Sequence, residues 1–461
     1  MKDTICAPAT APGGAIAIIR LSGPDAISIA CSVCSNITPT TPANTIHYTH
    51  ISNPHPCDAV SPHQIPIDEA LVSIFHGPHS YTGEDIVELS CHGSPYILNK
   101  VLELLVNNGC RMANPGEFTM RAYLNGKLDL SQAEAVADLI TSTNRATHRL
   151  AMSQLRGGIS SELEHLREQL LRLTSLLELE LDFSDHEDLE FADRTELLKL
   201  TNKIDKQITN LALTFETGQA IRQGFPVAIV GKTNVGKSTL LNALLKDDRA
   251  IVSEIHGTTR DTIEDTIDLH GITFRFIDTA GIRQTTDQVE QIGIQRTFQA
   301  IHKARIVLWL IDAQPTEEDI RDIVDRIDDK RLIIIQNKID KYSGPDLLPA
   351  CLNKYPFVKI SAKSCQGITK LEQAILEAAN IPTITDSNII ITNARHYESL
   401  IHAQQNLSRV ISGLNASNVS GDILAEDLRQ VLSDLAEITG RGQITTNEVL
   451  ENIFSHFCVG K

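Results

Sequence analysis

Apolar positions in the first 120 residues recur at short, strand-like spacings. Ala15–Gly23 (AIAIIRLSG) and Ala70–Phe75 (ALVSIF) read as buried strands, and Asp85–Gly93 (DIVELSCHG) as a third. Ile97, Leu98, Val101, Leu102 and Leu105 then step at helical spacing, which predicts a helix from Pro95 to Asn107 ended by the turn Asn107–Gly109. Thr38–Pro66, rich in Pro, Thr, His and Asn, reads as loops. Together these predict a compact domain of mixed helix and strand over residues 1–120.

The pattern turns helical from about Asp129. Ser131 with Glu134 has the spacing of a capping box, and no proline interrupts Gly116–Gln223. Leu163, Leu166, Leu170, Leu173 and Leu177 form one apolar stripe; Leu197, Leu200, Ile204, Ile208, Leu211 and Phe215 form another. The acidic run Asp182–Asp193 falls between them and reads as a solvated loop, since it lacks the glycine and twelfth-position glutamate of a calcium loop. Helical spacing returns at Leu400, Ala403, Leu407, Val410, Ile411 and Leu414, and again at Ile423, Leu424, Leu428, Val431, Leu432 and Leu435. Helical segments therefore bracket the centre of the chain. The expected division is 1–120, a helical part over 121–218, an inserted domain over 219–382, and a second helical part over 383–461.

A chain of 461 residues with 21% charged side chains and no apolar run of membrane-spanning length reads as a soluble, cytoplasmic, multidomain protein. The formal charge of -17 argues against a wholly basic surface for nucleic acid, though not against a local patch. Nine scattered cysteines do not suit a secreted disulfide framework. Cys31 and Cys34 form an isolated CxxC, better read as packing than as half a zinc site.

The inserted segment carries the chemistry. FPVAIVGKTNVGKS, Phe225–Ser238, reads as a buried strand running into a P-loop. Gly231 and Gly236 let backbone amides approach phosphate, Lys237 reaches the β/γ-phosphates, and Ser238 offers Mg²⁺ a hydroxyl. A chance glycine turn would lack the helical run TLLNALL that follows. Four more stretches follow in order: GTTRD (Gly257–Asp261), DTAG (Asp278–Gly281), NKID (Asn337–Asp340) and SAK (Ser361–Lys363). Thr259 is a second Mg²⁺ hydroxyl candidate, Asp340 can accept both N–H groups of a guanine edge, and the Lys338 stem can cover the base. The set points to GTP, with candidate contacts at Asn234, Val235, Gly236, Lys237, Ser238, Thr239, Ser253, Glu254, Ile255, His256, Gly257, Thr258, Thr259, Asp278, Thr279, Ala280, Gly281, Asn337, Lys338, Asp340, Ser361, Ala362 and Lys363.

After DTAG stands Ile282, whose side chain cannot orient water. Arg260 and Arg283 are candidate cations for the transition state, against the alternative of solvated switch arginines. A GTPase switch acting in ribosome assembly would be expected to carry a basic RNA-binding tail or a second such domain; neither is evident. A membrane-transport GTPase would require spanning segments.

With PGGAIAIIRLSG, YTGEDIVELSCHG, PGEFTMRAYLNGKLDLSQAEAVADLI, GTTRD, DTAGIR and the terminal IFSHFCVGK, the chain resembles the tRNA modification GTPases called MnmE or TrmE along its whole length. The resemblance implies a folate-binding N-terminal domain, a discontinuous helical domain and an inserted Ras-like P-loop GTPase domain. It implies a homodimer through the N-terminal domain, K⁺-dependent pairing of G domains, and a flavoprotein partner of the MnmG (GidA) family in a heterotetramer. Together they would place an aminomethyl or carboxymethylaminomethyl group on C5 of a tRNA wobble uridine, with 5-formyl- or 5,10-methylenetetrahydrofolate as one-carbon donor. The family's folate positions fall on Arg20, Glu88, Lys127 and Lys461; its K⁺ positions on Asn234, Ser253, Ile255 and Thr258; its water-orienting glutamate on Glu290. Cys458 is a catalytic candidate with buried packing as the competing reading. The tail here is FCVGK where the family usually has FCIGK, and Ser253 stands where threonine is common.

Overall fold

The computed structural model describes residues 3–53, 66–182, 194–247, 265–277, 298–327, 331–342, 344, 347–380, 389–416, 421–441, 450, 453–455, 457 and 460. The chain divides into two units. One comprises Met1–Thr141, Gln154–Asp205 and His402–Lys461; the other comprises Ser142–Ser153 and Lys206–Ile401.

The first unit holds a six-stranded sheet: β1 (Ile5–Pro8), β2 (Ile16–Ser22), β3 (Thr45–Ile51), β4 (Asp68–Phe75), β5 (Ile86–His92) and β6 (Arg111–Met112). The order is β3-β4-β5-β2-β1-β6, antiparallel except for β1 with β6. Helices α1 (Ala26–Val33) and α2 (Pro95–Asn107) supply Ile29, Val33, Val101 and Leu105 to a core shared with Ile19, Leu21, Val72, Ile74 and Leu89. The three expected strands and α2 are present. The expected loop over Thr38–Pro66 is not all loop, because β3 lies within it. Its pattern was hidden because Ile46 and Tyr48 point outward while Thr49 is buried, which inverts the usual apolar-in signal. Cys34 is buried in this core, and burial pushes its thiol pKa up to about 12, as suits a packing residue.

Helices α3 (Glu117–Leu124), α4 (Leu130–Thr141), α6 (Gly158–Asp182) and α13 (Gly421–Thr439) complete this unit. The cap of α4 differs from the expected Ser131–Glu134 box. Asp129 Oδ1 accepts from the Gln132 amide at 2.9 Å and Gln132 Oε1 accepts from the Asp129 amide at 2.9 Å, so the box begins two residues earlier. Aspartate caps as well as serine, and Ser131, already inside the helix, donates to Asp129 instead. On α6, Leu163, Leu166, Leu170, Leu173 and Leu177 are all buried, and α6 packs against α13. Arg429 of α13 donates to Glu178 of α6 at 2.8 Å. Segments on either side of the central insertion thus meet in one helical layer. On α13 the buried stripe is Leu424, Leu428, Val431, Leu435 and Ile438; Ile423, expected inward, is exposed. A stripe through Leu424, Leu428 and Leu435 puts Ile423 about 100° round the helix from its neighbour.

The second unit is a doubly wound sheet. Its strands are β7 (Phe225–Val230), β8 (Asp265–Leu269), β9 (Ile272–Phe276), β10 (Ile306–Ile311), β11 (Arg331–Gln336) and β12 (Phe357–Lys359), in the order β12-β11-β10-β7-β9-β8. All neighbours are parallel except β8 with β9. Every residue of β10, IVLWLI, is buried, as expected for a central parallel strand covered on both faces. The strand order reverses at β7, which lies between β9 and β10, and such a switch point opens a crevice at the carboxyl ends of the strands. The helices here are α5 (Arg145–Leu155, to Ser153), α8 (Phe215–Gln223), α9 (Lys237–Asp247), α10 (Glu317–Val324) and α11 (Ile368–Ala379). Helices α7 (Arg194–Leu213) and α12 (Ala394–Asn415) each cross the division between units. Of the α7 stripe, Leu197, Ile204 and Ile208 are buried, whereas Phe215 belongs to α8 and stacks on Tyr397 at 4.4 Å. No described helix is long and apolar enough to cross a membrane.

Candidate nucleotide site and the Arg20–Glu88 pair

The carboxyl end of β7 runs straight into the P-loop and then α9, the strand-loop-helix order that motif requires. Gly231 has φ +148°, and a side chain there would collide with the Leu310 carbonyl. Gly236 has φ +103°, and a Cβ there would collide with the Asn337 amide nitrogen. Both positions therefore exclude side chains for steric reasons. The amides in the first turn of α9 have no carbonyl inside the helix to bond, so they face the loop with the positive end of the helix dipole. Lys237 Nζ donates to the Gly231 and Lys232 carbonyls at 2.7 and 2.8 Å, and burial pushes its pKa below the ordinary lysine value.

Three loops meet here through Asn337. Its Nδ2 donates to the Val235 carbonyl at 2.8 Å, and its Oδ1 accepts from the Ala362 amide at 3.0 Å. One buried amide thus ties the P-loop, the NKID loop after β11 and the SAK loop after β12. Lys338, at φ +62°, sends Nζ to the Asn234 carbonyl at 2.8 Å and to Asp312 at 2.6 Å. Asp340 Oδ1 accepts from Ser361 Oγ at 2.7 Å. That hydrogen bond holds the Asp340 carboxyl below its usual range, so it presents acceptors only. Asn234, also left-handed at φ +62°, is exposed, and among the described residues its side chain makes no hydrogen bond, so Oδ1 is open to a cation.

Sequence reasoning overlooked two contacts. Asp312, at the end of β10, anchors Lys338, and Lys232 pairs with Asp319 of α10 at 2.7 Å. The first had a signal in its position, since it too ends a strand at the crevice. The second had none, because many exposed carboxylates offer equal partners to a lysine. Ser253, Glu254, Ile255, His256, Gly257, Thr258, Thr259, Arg260, Asp278, Thr279, Ala280, Gly281, Ile282, Arg283, Glu290, Cys458 and Lys461 lie outside the described residues, as does most of the acidic run from Asp182 to Asp193.

In the first unit, Arg20 of β2 lies directly across from Glu88 of β5. Arg20 Nε donates to Glu88 Oε1 at 2.8 Å, and Nη1 reaches the Gly460 carbonyl at 3.4 Å. The Tyr81 and Phe118 rings flank the guanidinium at 5.6 and 5.7 Å. The pair therefore stands beside aromatic surface and the residue preceding Lys461. Lys127 is held differently, with Nζ on the Pro78 carbonyl at 2.9 Å and its stem against Gly83, two residues from Tyr81. The structure brings Arg20 and Glu88 together, and it sets Lys127, from the connection between α3 and α4, against the loop that carries Tyr81. One Glu88 oxygen remains for a ligand's N–H donors, which fits a pterin edge flanked by rings.

The sheet order, the P-loop at its switch point and the joined NKID and SAK loops define a P-loop nucleotide-binding protein of the guanine type. A "GTP-binding protein TrmE N-terminus" model matches residues 4–127, and an "MnmE helical domain" model matches 130–458. The chain belongs to the MnmE (TrmE) family. It is 51% identical to "tRNA modification GTPase MnmE" of Bacteroides thetaiotaomicron, over all of both chains. It is also 51% identical to the protein of that name from Phocaeicola vulgatus, over all of this chain and 99% of that one. Among solved structures, the G domain of the Thermotoga maritima FeoB iron transporter aligns at 22% identity, covering 34% of this chain and 98% of that one at TM-score 0.25.

Proposed function

We propose that the chain hydrolyses GTP to GDP and phosphate in tRNA modification. Its four parts, 1–120, 121–218, 219–382 and 383–461, would serve one-carbon binding and dimerisation, helical scaffolding, GTP turnover and the cysteine tail. The observation that carries the nucleotide assignment is Asn337, which locks the phosphate loop to the base loops with Asp340 ionised beside them. In this reading the P-loop amides and Lys237 bind the β/γ-phosphates, Ser238 and Thr259 ligate Mg²⁺, and Asp340 selects guanine. When bound by Ser238 and Thr259, Mg²⁺ would supply charge neutralisation to the phosphates. Glu290 orients the attacking water, since Ile282 cannot.

Asn234, Ser253, Ile255 and Thr258 would hold K⁺, which would supply the positive charge that an arginine finger otherwise gives, and G domains of a homodimer would pair when it is bound. The open Asn234 side chain supports that part of the reading. Arg20, Glu88, Lys127 and Lys461 would bind a tetrahydrofolate derivative, which supplies the one-carbon unit when bound. With a flavoprotein of the MnmG family in a heterotetramer, the cytoplasmic enzyme would place an aminomethyl or carboxymethylaminomethyl group on C5 of the wobble uridine.

The reading is tested by mixing the protein with that flavoprotein, GTP, K⁺, folate donor and tRNA, then analysing the wobble nucleoside by mass spectrometry. Modification that requires hydrolysable GTP is expected; GTP consumed with the tRNA unchanged would refute the modification role. Replacing KCl by NaCl should lower GTP turnover several-fold, and equal rates in the two salts would remove the potassium assignment.

A further inference from the structure

The helix α5 is part of the P-loop unit although about seventy residues separate it from β7. Its Ala146 and Leu150 are buried in the same core as Phe225, Leu269 and Phe274. Asn144 caps it, accepting from the Thr147 amide at 2.8 Å, and the same side chain donates to Thr273 Oγ1 of β9 at 2.7 Å. The Ala146 amide donates to the Gly271 carbonyl at 3.1 Å in the β8–β9 turn, where a Cβ on Gly271 would lie 2.9 Å from that of Arg145. One face of α5 is therefore fixed to the β8–β9 hairpin.

The exposed flank of α5 is basic. Arg145, His148 and Arg149 are three and four residues apart, so they share a face, and all three are exposed. None makes an ion pair among the described residues. In the adjoining β8–β9 turn, Asp268 accepts from the Gly271 amide. The first turn of a helix disfavours cations through the helix dipole, so the stability of α5 does not account for Arg145. In a chain of formal charge -17, an unpaired cationic face suits a polyanion.

We propose that the Arg145, His148 and Arg149 face of α5 binds the phosphate backbone of the tRNA, and that this contact is built onto the GTPase unit through the β8–β9 hairpin. The inference rests on the tRNA-modification reading above and specifies where the RNA touches this chain. Arginines on one helix face can neutralise phosphates without reading bases, so the contact is independent of sequence and sensitive to salt.

The test is binding of an unmodified tRNA transcript to the full-length protein, with and without its flavoprotein partner, across a KCl series. Arg145→Gln/Arg149→Gln is compared with wild type and with Lys199→Gln/Lys203→Gln, which removes two exposed cations from α7. The α5 variant should bind about 10-fold more weakly, with the slope of log K against log[KCl] shallower by about 1–2. Its thermal midpoint and its GTP turnover without RNA should match wild type, and the α7 variant should bind as wild type does. Equal loss in both variants would make the effect one of overall charge and overturn the assignment. So would unchanged RNA binding with weakened binding of the flavoprotein, which would make the face a protein interface. If wild-type protein binds no tRNA with or without the partner, the tRNA-modification reading fails along with this one; if wild type binds and the α5 variant binds equally well, only this inference fails.

Discussion

At the scale of single residues, Asp340 offers the sharpest chemical test. An ionised carboxylate accepts from both guanine N–H groups, whereas an amide must turn a donor toward one of them. Asp340→Asn should therefore lower GTP affinity by at least 10-fold and raise relative affinity for xanthosine triphosphate, measured by calorimetry with each nucleotide. A second test concerns the charge cluster at the start of the chain. Arg121, 1% exposed, bonds Asp3, Glu84 and Glu117, while Arg111 bonds Asp3 and Glu117. The Arg111 hydrogen bond lowers the Asp3 pKa. Burial opposes ionisation of Glu117, but bonds from Arg111, the Asn114 amide and Arg121 outweigh it, and the net shift is also downward. A carboxyl with a lowered folded-state pKa stabilises above its ordinary value and ceases to as pH falls through the lowered one. Thermal stability should thus hold from neutrality to about pH 4.5 and fall below it. Glu117→Gln should lower the midpoint at pH 7 and flatten that acid limb; an identical limb in the variant would place the sensitivity elsewhere.

At the scale of elements, the α6–α13 seam carries a buried apolar stripe on each helix. Leu170→Ala, at a fully buried position, should cost about 2–5 kcal/mol in denaturant unfolding. The same change at exposed Leu171 should cost little. Where one face of an element was wholly apolar, its extent was legible: α2 from Pro95 to Asn107, β5 inside DIVELSCHG, and the α6 stripe. β3 was not, because it buries Thr49 and exposes Ile46 and Tyr48. Ile423 was misplaced because adjacent apolar residues give periodicity no way to choose between them. The P-loop, NKID and SAK loops were legible because phosphate and base recognition restrict both residue type and position. The way Asn337 joins them was not, since a link between residues 102 apart in sequence leaves no local trace.

At the scale of the whole molecule, the two ends of the chain meet. Gly460 stands so close to β1 that a Cβ there would collide with the Pro8 carbonyl, while Phe454 and Phe457 pack in one core with Leu130 and Ala133. Deleting residues 454–461 should therefore lower the first unit's melting temperature and weaken reduced-folate binding by calorimetry. Unchanged folate affinity in the truncated protein would separate the tail from that pocket. Two chain passages within the P-loop unit are also joined: the Ile391 amide donates to Thr214 Oγ1 at 2.9 Å, and Gly218 leaves no room for a side chain beside the Ile391 carbonyl. Such closed ends would make residues 214–391 a natural cassette, easy to excise or transplant. The borrowed helix α5 prevents a clean cut. An excised cassette would lose Ala146 and Leu150 and leave bare the apolar ground they cover beside Phe225 and Phe274, so modularity in the gene and autonomy in the fold part company at a single helix.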